Sequence, residues 1–247
     1  MIVLAVAFLL TALLYASVGF GGGSTYSALL ALSDVDYRIM PLLALSCNVI
    51  VVAGSTVRFA RRKITPWRGA VVLTAIAAPA AFLGGLTPID ERSFLLLLGA
   101  SLVLTGLTML APVATGPQGE QVSPGAKWMP IAAFPLGYLA GLVGIGGGIF
   151  IAPLLHLVRW NDARAIAATA SFFILVNSIF GIAGQIMKAG PDRLSAAISF
   201  GLPLMLAVVI GGQIGSLLAV RFLPLAWIRW LTAALTIWVG ARLLTGT

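Results

Sequence analysis

The chain has 247 residues, 60% of them hydrophobic and only 9% charged, with a net charge of +8. A soluble domain carries about 25% charged residues, so this composition excludes a water-soluble globule and indicates an integral membrane protein with little mass outside the bilayer. The apolar runs are continuous and do not alternate, which selects a helical bundle over a β-barrel.

Charges divide the chain. No Lys, Arg, Asp or Glu occurs in 2–33, 39–57, 69–89, 93–119, 128–158, 165–187, 194–220 or 230–241. A helix needs about 20 apolar residues to cross the hydrocarbon core. The first run, 2–33, is too long for one span and too short for two. It holds Val18-Gly19-Phe20-Gly21-Gly22-Gly23. Each glycine costs a helix about 1 kcal/mol relative to Ala, so the helix breaks there, and a short helix is expected over Ser24–Leu32. No basic residue precedes residues 2–17 within the chain, so they read as a retained helix and not as a signal peptide.

The runs 39–57 and 69–89 suit one span each. The 93–119 run holds a span ending near Ala111-Pro112, where proline interrupts a helix. Residues 112–127, rich in Pro, Gly, Gln and Ser, read as a linker. The 128–158 run repeats the first pattern: Val143-Gly144-Ile145-Gly146-Gly147-Gly148, then a short helix over Ile149–Val158. The runs 165–187 and 194–220 suit single spans. The last span starts near Leu225, with Arg229 snorkelling from its first turns.

The glycine signature therefore occurs twice, at a shift of 125 (146 − 21). Lys63-Ile64-Thr65-Pro66-Trp67-Arg68 aligns with Lys188-Ala189-Gly190-Pro191-Asp192-Arg193 at the same shift. Asp36-Tyr37-Arg38 aligns with Asp162-Ala163-Arg164 at 126 (162 − 36), and Pro88 with Pro224 at 136 (224 − 88). The expected architecture is all-α and membrane-integral. It has a first repeat over 1–111, the linker over 112–127 and a second repeat over 128–247, each repeat a glycine-broken hairpin followed by three spans. If each hairpin returns to its starting side, the repeats are inverted. One side then holds Arg58, Arg61, Arg62, Lys63, Arg68, Lys127, Arg159, Arg164, Arg221 and Arg229. The other holds Arg38, Arg92, Lys188, Arg193 and Arg242. The positive-inside rule makes the richer side cytoplasmic and both termini external. Charge placed this way orients a membrane protein and does not indicate nucleic-acid binding.

Breaks in a helix at membrane depth leave backbone groups that lipid cannot satisfy. Helix N-termini carry free N–H donors and partial positive charge, so Gly21, Gly22, Gly23 and Ser24, with Gly146, Gly147, Gly148 and Ile149, are candidate ligands for an anion. The bland reading is that the glycines only allow close helix packing. Ser46, Asn48, Ser171 and Asn177 are candidate hydrogen-bonding residues, with Ser178, Gln185 and Gln213 as further polar groups inside spans. His156 stands near an interface, where it can carry a proton. Cys47 is the lone cysteine, which excludes an internal disulfide and a cysteine metal cluster; it reads as a small core residue. No carboxylate lies inside a span, which argues against a carboxylate proton relay. There is no P-loop, no G-x-S-x-G and no H-E-x-x-H, so neither ATP-driven nor hydrolytic chemistry is indicated. No metal or organic cofactor is implied.

The paired V-G-x-G-G-G turns, the Asp-x-Arg after each short helix and the charged Pro-containing loop resemble the TauE/SafE sulfite exporter family, also called the 4-toluene sulfonate uptake permease family. The resemblance spans nearly the whole chain. It implies a non-enzymatic carrier of a small sulfur-containing anion, sulfite or an organosulfonate, in a bacterial inner membrane. Homo-oligomerisation stays open. So do a channel-like anion conduit and a non-transporting membrane subunit of a larger complex.

Overall fold

The computed structural model describes residues 1–18, 21–110, 124–218 and 225–245. Most of the linker, with Ala111, Pro112 and Glu120, lies outside these residues. So do Gly19, Phe20, Arg221 and Pro224, and the side chain of Arg229. Among the described residues there is no strand. Ten α-helices follow one another among the described residues: α1 Ile2–Val18, α2 Gly23–Leu32, α3 Met40–Arg61, α4 Trp67–Leu86, α5 Glu91–Leu110, α6 Met129–Val143, α7 Gly148–Leu157, α8 Ala163–Lys188, α9 Pro191–Leu218 and α10 Leu225–Thr245. A short 3-10 helix, Pro124–Trp128, leads into α6.

The bundle is built for lipid. Its outer surface carries Val6 and Leu10 of α1, Leu104 and Leu107 of α5, Ile131 and Phe134 of α6, Leu202 and Leu206 of α9 and Trp238 of α10, all exposed. Its interior holds Ser24, Ser27, Asn48, Thr169, Ser171, Asn177 and Gln185. These polar groups lie among a mostly apolar core that includes Phe8, Leu43, Phe94 and Phe173, and their confinement to the interior is what a hydrocarbon solvent selects. Six of the described helices are long and apolar enough to span a membrane. At 1.5 Å per residue, the ten residues of α2 and of α7 reach about 15 Å, half the hydrocarbon thickness. Helices this short do not cross a bilayer alone, and both are buried along most of their length.

Close packing fixes the helix directions. A Cβ on Gly211 would strike the Leu9 carbonyl, and one on Gly215 the Leu13 carbonyl, so α1 and α9 run parallel. Gly137 meets Ala77 and Gly141 meets Ala81 in the same way, so α6 and α4 run parallel. Gly99 faces Gly240 while Gly106 faces Ala233, so α5 and α10 are antiparallel. At the centre, α3 and α8 are also antiparallel: Leu45 packs at Gly181, and Asn48 and Ser178 approach the same glycine, Gly146. One contact is made twice. Gly84 of α4 abuts the Tyr138 carbonyl of α6, and Gly215 of α9 abuts the Leu13 carbonyl of α1. Tyr138 is Leu13 shifted by 125 (138 − 13), whereas Gly215 is Gly84 shifted by 131 (215 − 84). The extra residues sit in α9, which has 28 residues against 20 in α4.

The aspartates of the repeated Asp-x-Arg start helices. Asp162 caps α8, its Oδ1 accepting from the N–H of Arg164 at 2.8 Å and of Ala165 at 2.9 Å. Asp36 accepts from the Arg38 N–H at 2.9 Å just before α3. Asp90 accepts from the Ser93 N–H at 3.0 Å at the start of α5, and this bond holds its carboxyl below the usual carboxylate range. One boundary departs from the charge pattern: α3 runs through Arg58 to Arg61 and does not stop at residue 57. Cys47 is a buried core residue, as expected.

Candidate functional site

Both glycine breaks lie in the interior, and they meet. Asn48, in the middle of α3, donates from Nδ2 to the Ile145 carbonyl inside the second break at 3.1 Å. The same side chain touches the first break: a Cβ on Gly21 would lie 2.6 Å from Asn48 Oδ1, and one on Gly23 would lie 2.5 Å from Nδ2. From the second break, a Cβ on Gly146 would stand 2.7 Å from Asn48 Nδ2 and 3.0 Å from Ser178 Oγ. Ile174 packs against Gly21, Gly146 and Gly148. Side chains at these glycine positions would fill the junction.

The two breaks differ in backbone. Gly144, Gly146 and Gly147 adopt φ of +80°, +81° and +79°, the left-handed region that glycine enters without a Cβ penalty. Gly22, which caps α2, has φ −89°. The first break turns by ordinary geometry among its described residues, and the second by left-handed glycines.

Several polar side chains around the junction are buried without a partner. At the glycines themselves Asn48 Oδ1 and Ser178 Oγ make no hydrogen bond, nor do the two amide atoms of Asn177 beside Ser178 on α8 or Ser27 Oγ of α2. An orphaned buried polar group costs about 1–3 kcal/mol, and such groups cluster where a ligand or water completes them. The first N–H groups of α2 and α7, at Gly23-Ser24 and Gly148-Ile149, also have no carbonyl four residues back to bond. The two short helices differ in character. The first turn of α2 is Gly-Ser-Thr-Tyr, with Thr25 Oγ1 hydrogen-bonded at 2.9 Å to Tyr15 of α1; Tyr15 in turn donates to Thr232 of α10 at 3.0 Å. The first turn of α7 is Gly-Ile-Phe-Ile, apolar and buried.

Of the residues singled out in the sequence, Gly21, Gly23, Asn48, Gly146 and Gly148 are brought together directly. Gly22 packs against Thr11 and Tyr26, and Gly147 against Ala140 and Phe173, each on the flank of its turn. Ser24 and Ile149 open the two short helices. Asn177 precedes Ser178 and is fully buried. Ser171 is buried two turns before Ser178, on the same face of α8. Ser46 is half-buried and two positions from Asn48, about 200° around α3, so it faces away from the junction. Gln185 serves packing, donating to the Gly141 carbonyl at 2.9 Å. Gln213 is exposed on α9, and His156 is half-buried in the last turn of α7. Ile174 and the Ile145 carbonyl were not singled out. An apolar side chain and a main-chain oxygen carry no sequence signal.

A bundle with an apolar exterior, two short buried helices and polar groups where the glycine breaks meet is a multi-pass membrane protein. The chain belongs to the sulfite exporter TauE/SafE family, whose model matches residues 3–243. It is 32% identical over 248 residues to the probable membrane transporter protein y4hK of Sinorhizobium fredii, covering 98% of this chain and 97% of that protein. It is 30% identical over 212 residues to a probable membrane transporter protein of Xylella fastidiosa, covering 82% and 78%. A protein of Arabidopsis thaliana named sulfite exporter TauE/SafE family protein 1 is 37% identical over 83 residues, 34% of this chain and 18% of that protein. No solved structure matches the chain.

Proposed function

We propose that the protein is a secondary transporter of a small sulfur-containing anion, sulfite or an organosulfonate, held where the two glycine breaks meet. The observation that carries this reading is the junction itself. Asn48 ties the two breaks together, while Asn48 Oδ1, Asn177 and Ser178 retain unused hydrogen-bonding capacity. No carboxylate of a described residue opposes an anion there, and backbone N–H groups with helix dipoles supply positive potential without a buried cation. The family membership and the names of the relatives support transport as the activity.

The halves 1–111 and 128–247 act as inverted repeats in this reading. The antiparallel pairs α3–α8 and α5–α10 support it, because equivalent helices of inverted repeats run in opposite directions. So does the contact that recurs between α4 and α6 and between α9 and α1. Access alternates as one repeat moves against the other around the junction. The burial of Asn48, Asn177 and Ser178 favours a carrier in a closed state over an open conduit. Excess basic charge on the side of Arg58–Arg68 puts that side in the cytoplasm of a bacterial inner membrane, with both termini periplasmic.

The test is uptake of radiolabelled sulfite into proteoliposomes. A carrier gives saturable flux and counterflow. Gly22→Leu and Gly147→Leu proteins that fold, insert and still transport at the wild-type rate would refute the glycine-turn site.

A further inference from the structure

The first helix of each hairpin ends just before a glycine break, and in both halves a side chain from the following long helix caps a carbonyl near that end. In the first half, Arg58 of α3 donates from Nη2 to the Ala16 carbonyl of α1 at 3.2 Å, and to Ser55 Oγ at 3.1 Å. In the second half, Gln185 of α8 donates to the Gly141 carbonyl of α6. Ala16 and Gly141 are equivalent, at a shift of 125 (141 − 16), and Gln185 lies two positions past the equivalent of Arg58 (58 + 125 = 183). The same cap is thus a guanidinium in one half and a neutral amide in the other. Because α3 and α8 are antiparallel, the two caps stand at opposite faces of the bundle.

Arg58 has more donors than its cap uses. A guanidinium carries five N–H groups, and only Nη2 has partners among the described residues. No carboxylate of a described residue pairs with it. It is half-buried, one helical stretch of about 15 Å from Asn48. Between them α3 places Ser55 and Thr56, both buried, with Thr56 Oγ1 unpartnered. Ser55 and Thr56 thus extend the polar character of the arginine face one turn inward, and the buried Val51 and Val52 lie between them and Asn48. At the other face the corresponding donor, Gln185, is neutral and its Nε2 is engaged by the Gly141 and Leu142 carbonyls.

We propose that Arg58 collects the anion at the arginine face and hands it toward Asn48, so that this face has the higher anion affinity, while Gln185 gives the opposite face the same structural cap without the charge. This rests on the anion-transport reading above. A cleft of one charge sign raises local counter-ion concentration by about tenfold or more, and Arg presents planar paired donors that suit an oxyanion.

The experiment measures half-saturation for radiolabelled sulfite from each face, in right-side-out and inside-out vesicles at low salt. The arginine face is identified in the same vesicles by labelling a cysteine placed at Arg62. Arg58→Gln removes the charge and leaves a neutral amide like that of the second half, and thermal unfolding in detergent reports separately any loss of the cap on Ala16. This variant is expected to raise half-saturation at the arginine face about tenfold, with a far smaller change at the other face. Arg58→Lys keeps the charge without the planar paired donors and is expected to fall between wild type and Arg58→Gln. Gln185→Arg lowers half-saturation at the opposite face. Arg58→Gln with wild-type half-saturation at the arginine face, or with equal changes at both faces, overturns the role of Arg58 and leaves the transport reading standing. Wild-type protein with no saturable sulfite flux from either face overturns both.

Discussion

Asn48 and Ile145 stand 97 positions apart, yet the Asn48 amide donates to the Ile145 carbonyl at 3.1 Å in the buried centre of the bundle. This bond joins a helix of the first half to the glycine break of the second. It leaves Asn48 Oδ1 free at the point where Gly21 approaches it. One side chain thereby connects both breaks.

Asn48→Ala removes that bond and orphans the Ile145 carbonyl. Thermal unfolding in detergent is expected to show a loss of about 1 kcal/mol, since hydrogen bonds between membrane helices are individually modest. Sulfite transport is expected to fall by about tenfold or more, the factor equivalent to 1.4 kcal/mol of lost binding. A variant that unfolds earlier but transports normally would leave Asn48 a purely structural residue.

The two breaks are expected to respond differently to alanine. Gly147 has φ +79°, so Gly147→Ala incurs a left-handed backbone penalty of about 1–2 kcal/mol. Gly22 has φ −89° and incurs no such penalty; its added Cβ would press on Thr11 and the Tyr26 ring at 2.9 and 3.0 Å, much as that of Gly147 would press on Ala140 and Phe173 at 3.0 Å, so the backbone difference separates the two. Unfolding midpoints of the two variants should therefore rank Gly22→Ala above Gly147→Ala. The reverse order would contradict the backbone difference.

Glycines in the helices divide by what they face. Gly141 lies directly on the Ala81 carbonyl, and a Cβ there forces α4 and α6 apart. Gly54 of α3 has open space around it. Gly141→Ala is expected to lower the yield of folded protein in size-exclusion chromatography. Gly54→Ala is expected to be neutral or stabilising, by up to about 1 kcal/mol from helix propensity.

The cap on α8 offers a simpler check. Asp162→Ala removes the acceptor for two backbone N–H groups and should cost about 1 kcal/mol, read by thermal unfolding. Asp162→Asn keeps a capping side chain and should recover most of that loss.

Much of this architecture is legible in the sequence because lipid enforces a strict rule: charges stay out of spans. The short helices Gly23–Leu32 and Gly148–Leu157 begin within a residue of where the glycine runs place them. The charge rule misleads at Arg58. A long side chain can turn back along its helix and reach Ala16, so the helix continues past the first charge. The site is less legible than the spans. Ser46 and Asn48 look alike as polar residues in an apolar run, and only helix phase separates them. The meeting of Asn48 with Ile145 depends on how α3 crosses the second half, which no local pattern encodes. The left-handed turn at Gly144, Gly146 and Gly147 and the ordinary geometry at Gly22 follow from the same glycine motif. Their tertiary surroundings decide between them.

The central claim is that the anion sits where the two breaks meet, and selenite, a heavier analogue of sulfite, tests it most directly. Crystals grown with selenite should give a selenium anomalous peak bounded by Gly21–Ser24, Gly146–Ile149 and Asn48, weakened or absent in Asn48→Ala crystals. A peak elsewhere in the bundle, or one at the junction that is unchanged by Asn48→Ala, would contradict the account.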